Sequence, residues 1–419
     1  MRRLLLAAVV LGGACLIAAD SVSQEKSDTK APELPKKPEP PKKSEGPKVD
    51  YPKEILGKNL EAWVREMHVS NQADPSLREL AIKTVPLFGP SCRKVASSNL
   101  LFALTKDPDY SVRLTALGMI PSIGFEGSAD IDAGMKAVID MATRSQQNHT
   151  RYEALMALSN CGVVGRRAVP AVLQFAVNDS TSWQIRKAAV YALGRIDIDE
   201  ERIKGPGAET LNALIARATY GRESASLVRR EAIQSILILT PPVPTTQALR
   251  ELRKALVDCK RDPDKSVGIW ARVCLMRLET DRVKPNDPNL RELVGMFKNP
   301  DPIVRIEAIQ GIGTMGSEVK VTVPELMNVV DHDDDLTCKI NGIWALSQMG
   351  ASAEEIIPYL EKLKKTHRGK TDGDEIIRNA AEEALATLIG KKEEEKKEKE
   401  AKKEMEKKEA PKQDTPKKD

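Results

Sequence analysis

The 419-residue chain is poor in the residue types from which most catalytic and metal centres are built. Aromatic residues make up 4% of it, and its four histidines, His68, His149, His332 and His367, show no ligand spacing. No nucleophile–base motif or phosphate-binding loop is complete. We therefore predict that the protein is not an enzyme, and we expect no catalytic residue, no cofactor-binding residue and no metal site.

Cysteine is also scarce, at six residues in the whole chain. Five remain once an N-terminal export segment is set aside, and their spacing fits neither a zinc site nor a disulfide framework. Buried thiols are the favoured state, and a Cys259–Cys274 bridge stays open as an alternative in an oxidising compartment. The five are Cys92, Cys161, Cys259, Cys274 and Cys338.

Long hydrophobic runs are absent except at the N-terminus. Arg2 and Arg3 precede an apolar run from residue 4 to residue 19, and small residues end that run before Asp20. This pattern predicts a signal peptide over residues 1–19 and export to the periplasm or the exterior. An uncleaved anchor and a lipoprotein attached at Cys15 are less favoured alternatives, and we expect no transmembrane span in the mature chain.

An excess of charge of one sign is missing as well. The chain has 65 Lys and Arg against 61 Asp and Glu, which gives a formal net charge of +4. A protein array that binds nucleic acid needs a basic face, so this balance argues against a nucleic-acid partner.

One helical pattern recurs nine times, at intervals of 34 to 43 residues. Three residues after each anchor position lies Ala or Gly, and seven residues after it lies Val, Ile or Leu, so both lie on one face of a helix. A second apolar-periodic segment precedes each such helix. This predicts an all-α fold, an α-α superhelix of about nine helix pairs over residues 54–390. The anchors are Arg78, Arg113, Arg151, Arg186, Arg229, Gly268, Arg305, Lys339 and Arg378.

Several stretches carry a family resemblance. Residues 165–179, followed by Ile185-Arg186-Lys-Ala-Ala189, resemble a HEAT or HEAT-like repeat, and Val323-Pro324-Glu-Leu326 repeats the Val-Pro element of its first helix. The resemblance extends over about residues 54–390 and includes HEAT-like repeats of the phycobilisome-lyase type. It implies an armadillo/HEAT-like solenoid and is silent on function, because such arrays serve unrelated roles.

The anchor cations are interpreted as structural. A cation at a helix start opposes the helix dipole and therefore needs a local partner. Aspartates lie just upstream of many anchors, and each is expected to cap a helix or to pair with an anchor. Examples are Asp74, Asp107, Asp109, Asp262, Asp301 and Asp335.

Both ends of the chain differ in composition from the repeats. Residues 20–53 are a Pro- and Lys-rich segment, which predicts a disordered spacer. Residues 391–419 form a low-complexity tail rich in Lys and Glu, for which we expect a frayed helix to about Lys408 and disorder beyond it.

A partner-binding surface is predicted at the positions two and five residues after the anchors, which point away from the small/aliphatic face. Second helices of HEAT-like pairs usually line the concave side, and exposed Tyr and Trp are favoured interface anchors. The candidate residues are Tyr191, Trp270, Trp344, Gln234 and Gln310.

These observations favour an exported, non-catalytic interaction scaffold, monomeric, that binds a protein or peptide on its concave face. The alternative is a ligand-handling HEAT array, either similar to bilin lyases or binding nucleic acid. The repeat, the export segment and the missing catalytic motifs favour the scaffold.

Overall fold

The computed structural model describes residues 51–197, 207–239, 247–279, 283–367 and 371–409. Throughout these ranges the regular structure is helical and no β-strand forms, apart from an isolated bridge between Ile55 and Lys58. The all-α prediction is therefore confirmed. The predicted signal peptide, most of the spacer and residues 410–419 lie outside the described residues.

The described helices are arranged as nine consecutive pairs, which confirms the predicted number of repeats. In chain order they are α1 (Leu60–Glu66) with α2 (Pro75–Thr84), α3 (Cys92–Lys106) with α4 (Tyr110–Gly118), the single turn α5 (Ile120–Ile123), α6 (Ser128–Arg144) with α7 (Asn148–Ser159), α8 (Val169–Val177) with α9 (Trp183–Ile196), α10 (Ala208–Ala218) with α11 (Ser226–Leu239), α12 (Gln247–Cys259) with α13 (Lys265–Glu279), α14 (Pro288–Gly295) with α15 (Pro302–Met315), α16 (Val323–His332) with α17 (Leu336–Ser347), and α18 (Ala353–Thr366) with α19 (Asp372–Glu409).

The second helices of the pairs form one layer. Each of α2, α4, α7, α9, α11, α13, α15, α17 and α19 packs against the next in this order. The anchor residues lie at the starts of these helices, so every anchor is placed next to the corresponding part of the following repeat.

An apolar seam runs between the second helices, as the repeat pattern predicts. The small residue after each anchor is buried in all nine repeats, for example Ala189 and Ala232 at 0% exposure. The aliphatic residues at the next predicted position are buried too, with Leu193 at 0% exposure. Gly342 takes the place of alanine in the eighth repeat because an added Cβ would lie 2.8 Å from Cγ2 of Val330.

Aspartates begin many of the second helices. The side chains of Asp74, Asp109, Asp301 and Asp335 each accept a hydrogen bond from a backbone amide in the first turn of the helix that follows. These bonds satisfy amides that have no partner within the helix. The capping role predicted for the upstream aspartates is confirmed at these four positions.

The last helix continues beyond the repeats. α19 runs to Glu409, in keeping with the Glu–Lys spacing of that segment. None of the helices within the described ranges combines the length and the apolar character that a membrane crossing requires.

Candidate partner-binding surface

The anchor arginines join successive repeats. In four of them the Nε and Nη2 atoms donate to both oxygens of one carboxylate in the turn of the next repeat, at 2.7 or 2.8 Å. These bidentate pairs are buried or nearly so, which strengthens their electrostatic attraction. They are Arg78–Asp107, Arg186–Glu223, Arg229–Asp262 and Arg305–Asp333.

The same guanidinium groups also bind their own turns. Nη1 of Arg229 donates to the carbonyls of Glu223 and Ser224 at 3.0 and 2.9 Å, and the carboxylate of Asp262 accepts the amide of Asp264 at 2.9 Å. Each arginine therefore clamps two successive turns. Asp107 and Asp262, two of the upstream aspartates, therefore pair with an anchor as predicted, although the anchor belongs to the preceding repeat. At the other two positions the partners are Glu223 and Asp333, which the sequence did not single out as partners.

These contacts shift the ionisation of the carboxylates. Burial alone would raise the pKa of Glu223, but hydrogen bonds from Arg186 and from the Ala225 amide outweigh it and lower the pKa below its usual value. Asp333 behaves in the same way beside Arg305. The carboxylates are thus held ionised, as a structural ion pair requires.

Three contacts between successive second helices lack the arginine–carboxylate pair, because another residue stands at the acidic position. Ser145, Ser180 and Asn299 occupy the places that Asp107 and Glu223 hold in other repeats. Arg113 donates to the carbonyls of Asp107 and Pro108 at 2.6 and 3.0 Å. Arg151 donates from Nε to the carbonyl of Ser145 at 2.7 Å. At the contact between α13 and α15 the anchor is Gly268, which has no side chain that could pair with Asn299.

The last two anchors also bind locally. Lys339 donates from Nζ to the carbonyl of Asp331 at 3.3 Å, and Arg378 lies 4.0 Å from the carboxylate of Glu375 in its own helix. Each anchor that has a basic side chain therefore has a polar contact, and the partners differ from one repeat to the next.

Trp270 is buried, at 6% exposure, so the prediction of an exposed tryptophan is wrong there. Its Nε1 donates to Oε2 of Glu307 on the next second helix at 2.5 Å. Glu307 also accepts from Nη1 of Arg230. Trp270 is buried because α13 is covered by neighbours on nearly every face, which leaves little of the helix in contact with solvent.

The other four candidate residues are half-buried. The guanidinium of Arg195 lies 3.2 Å from the ring centroid of Tyr191, a cation–π contact, and Gln310 donates to Asn341 Oδ1 at 2.9 Å. The ring of Trp344 lies against Gly313, where a Cβ would collide with it. Gln234 lies on α11. All four keep part of their side chains accessible on the second-helix layer.

A buried acid lies beneath Tyr191. Glu231 is 6% exposed, and its nearest cations are Lys187 at 3.9 Å and Arg195 at 4.0 Å. Burial raises the pKa of Glu231, and these cations oppose the shift only in part. This carboxylate therefore differs from Glu223, which hydrogen bonds hold ionised.

An open cleft of about 490 Å³ lies between the starts of α7 and α9. Tyr152 and Trp183 on its walls are 37% and 40% exposed. The sequence did not reveal the cleft, because its two walls are about 35 residues apart in the chain. The lining residues are Asn148, His149, Tyr152, Ser182, Trp183, Gln184, Ile185 and Lys187.

Among the described residues, no group of three or more His, Cys, Asp or Glu side chains is placed to hold a metal ion. The five cysteines are free thiols, and burial raises the pKa of Cys161 and of Cys259 to about 11. Protonated buried thiols behave as small apolar groups and are poor nucleophiles.

A continuous layer of second helices, joined through buried side chains and faced by first helices, defines an α-helical solenoid. The family model for HEAT repeats matches residues 135–237 and 290–386. The resemblance to HEAT repeats is confirmed in these two regions.

Two solved structures are similar to the chain. A crystal structure of importin beta is 16% identical, with a TM-score of 0.37, over 79% of this chain and 48% of that one, so the chain spans about half its length. YibA from Escherichia coli is 19% identical, with a TM-score of 0.34, over 71% of this chain and 94% of that one. No curated protein sequence matches the chain.

Proposed function

We propose that the protein is an exported, non-catalytic scaffold that binds a protein partner on its second-helix layer. The observation that carries the proposal is the accessible strip of aromatic and amide side chains on that layer, from Tyr152 and Tyr191 to Gln310 and Trp344. Helical repeat arrays typically present such extended surfaces to other proteins.

A protein fits this strip better than a small ligand does. The strip spans several repeats on either side of α13, where Trp270 is buried, whereas a small molecule is held by an enclosed apolar pocket. Tyrosine and tryptophan supply large contact areas at low cost in conformational entropy. We take the second-helix layer as the concave side, because its helices pack against one another without interruption in the chain order.

Export rests on the first nineteen residues. Their charged start, apolar run and small-residue end are those of a cleaved signal peptide. The mass of the mature protein measures this directly: a chain that starts at Asp20 supports export by cleavage, and a lipidated Cys15 contradicts it.

Site-specific photocrosslinking tests the surface. A photoreactive amino acid replaces Gln234 or Gln310 on the second-helix layer, and as a control it replaces Lys136 or Val257, both exposed on first helices. We expect adducts of one discrete mass from the second-helix positions alone. Adducts of the same yield from both layers, or from the first helices only, contradict the proposal.

A further inference from the structure

Of the contacts between neighbouring second helices from α2 to α17, the one between α7 and α9 has the fewest hydrogen bonds and ion pairs. Ser180 stands where an acidic residue would meet Arg151, and no hydrogen bond or ion pair joins α7 to α9 within the described residues. The neighbouring pair α9–α11 is joined by Arg186 and Glu223 at 2.7 Å.

The starts of both helices also lack acidic caps. The capping positions of α7 and α9 are Gln147 and Ser182, and neither side chain accepts a hydrogen bond from a backbone amide of its helix. Aspartates cap α2, α4, α15 and α17. The positive ends of two helix dipoles thus flank the cleft without the carboxylates found elsewhere in the layer.

The charged side chain that lines the cleft is a cation. It is Lys187, and no carboxylate is among the lining residues. The nearest carboxylate to Lys187 is that of Glu231, at 3.9 Å, which is the limit of ion-pair contact. Asp179 is engaged elsewhere, by Arg217 at 2.6 Å.

Exposed apolar groups continue from the cleft along one edge of the layer. Trp183, Leu227 and Ile303 lie in the first turns of α9, α11 and α15 and are 40%, 40% and 61% exposed. Because the repeats are stacked, equivalent first turns lie on the same edge. An extended chain that lies along this edge would meet apolar contacts at intervals, which suits a peptide segment.

We propose that the cleft between α7 and α9 binds an acidic peptide segment of a partner protein, with an apolar side chain between Tyr152 and Trp183 and a carboxylate against Lys187. The proposal rests on the scaffold function and adds the chemistry of the partner. The partner's carboxylates supply the negative charge that is missing at this interface, where Ser180 replaces the acidic residue.

Fluorescence anisotropy of short labelled peptides tests this with the full mature chain. The probes are an octapeptide of alternating glutamate and phenylalanine, its lysine–phenylalanine counterpart, and a glutamate–serine octapeptide that lacks the apolar groups. We expect the first to bind at least tenfold more tightly than either of the others, and its binding to weaken as salt is raised.

Matched variants locate the binding. Lys187→Glu should weaken binding of the glutamate–phenylalanine peptide at least tenfold, and Trp183→Ala at least fivefold. Lys136→Glu, the same charge change on the first helix α6, and Tyr220→Ala, an exposed aromatic outside the cleft, should change it less than twofold. Circular dichroism checks that each variant keeps its helical content.

Either of two results overturns the site: equal binding of the acidic and basic peptides, or equal losses in Lys187→Glu and Lys136→Glu. The scaffold proposal fails separately. If crosslinks form at Gln310 while the acidic peptide does not bind, the scaffold stands and the site falls. If the peptide binds and no second-helix adduct forms, the peptide site stands and the scaffold proposal falls.

Discussion

The second helices from α9 to α13 and those from α4 to α9 share one apolar seam, but the two regions differ in the polar groups that cross it. In the first region Arg186 and Arg229 each hold a buried carboxylate of the next repeat in a bidentate pair. In the second, α4 and α7 are joined by the Tyr110 hydroxyl and Thr150 at 2.5 Å, and α7 and α9 present an open cleft. The difference teaches that the apolar seam holds the array together. The bidentate ion pairs are not needed at every contact and are absent where the cleft opens between α7 and α9.

The largest effect is expected where a link is broken. Arg229→Ala leaves Asp262 buried without its cation, and loss of one partner of a buried pair costs about 3–5 kcal/mol. Arg113→Ala, at a layer without a carboxylate, should cost less than half as much. Urea unfolding followed by circular dichroism measures both, and equal losses would remove the distinction between the two regions.

Seam residues should behave alike in both regions. Leu193→Ala in α9 and Leu158→Ala in α7 each remove a fully buried side chain, with an expected cost of about 2–5 kcal/mol. The same unfolding experiment applies. A cost at Leu158 far below that at Leu193 would show that the α4–α9 region is loosely packed as well as unlinked.

Two buried glutamates should respond to pH in opposite ways. The pKa of Glu223 is lowered in the folded protein, so its stabilising contribution is present above the unfolded pKa and is lost as pH falls through the folded value. The pKa of Glu231 is raised, so its contribution is present below the unfolded pKa and is lost as pH rises through the folded value.

Glutamine variants test this contrast. Glu223→Gln should destabilise the protein by about 1–3 kcal/mol at pH 7, because it leaves Arg186 without its anion, and by less near pH 3. Glu231→Gln should leave stability unchanged or raise it at pH 7. Urea midpoints from pH 3 to pH 8 give both profiles, and two parallel profiles would contradict the assigned shifts.

The smallest effect is expected from restoring a link. Ser145 accepts the amide of Gln147 at 3.1 Å, as Asp107 accepts that of Asp109 at 2.9 Å, so an aspartate there would face Arg113. Ser145→Asp should stabilise the array by up to about 1 kcal/mol.

The matched control for this substitution is Asn299→Asp. It places the same carboxylate opposite Gly268, where the anchor has no cation. Urea unfolding, which measures both variants, should show no gain in stability for Asn299→Asp. A gain of equal size at both positions would mean that helix capping, and not the arginine, accounts for it.

The sequence predicted the seam well because the same helical pattern recurs nine times along the chain, and each copy lies within one short segment. It did not predict the partners of the arginines. Capping aspartates such as Asp74 lie four residues before an anchor and bridging carboxylates such as Asp107 lie six residues before one, but only the stacking of repeats shows that the latter pair with the preceding anchor. The burial of Trp270 depends on how closely α13 and α15 approach, which no local pattern encodes. The cleft escaped detection for a similar reason, because Tyr152 and Trp183 meet only across two repeats.

Hydrogen-exchange mass spectrometry of the full mature chain, with and without the glutamate–phenylalanine octapeptide, tests the central claim most directly. The uncapped first turns of α7 and α9 should exchange faster than the aspartate-capped first turns of α4 and α15 when the peptide is absent. We expect the peptide to slow exchange at the starts of α7 and α9, and not in the first helices α6 and α8. Slowed exchange spread evenly over both layers, or none at α7 and α9, would contradict the account.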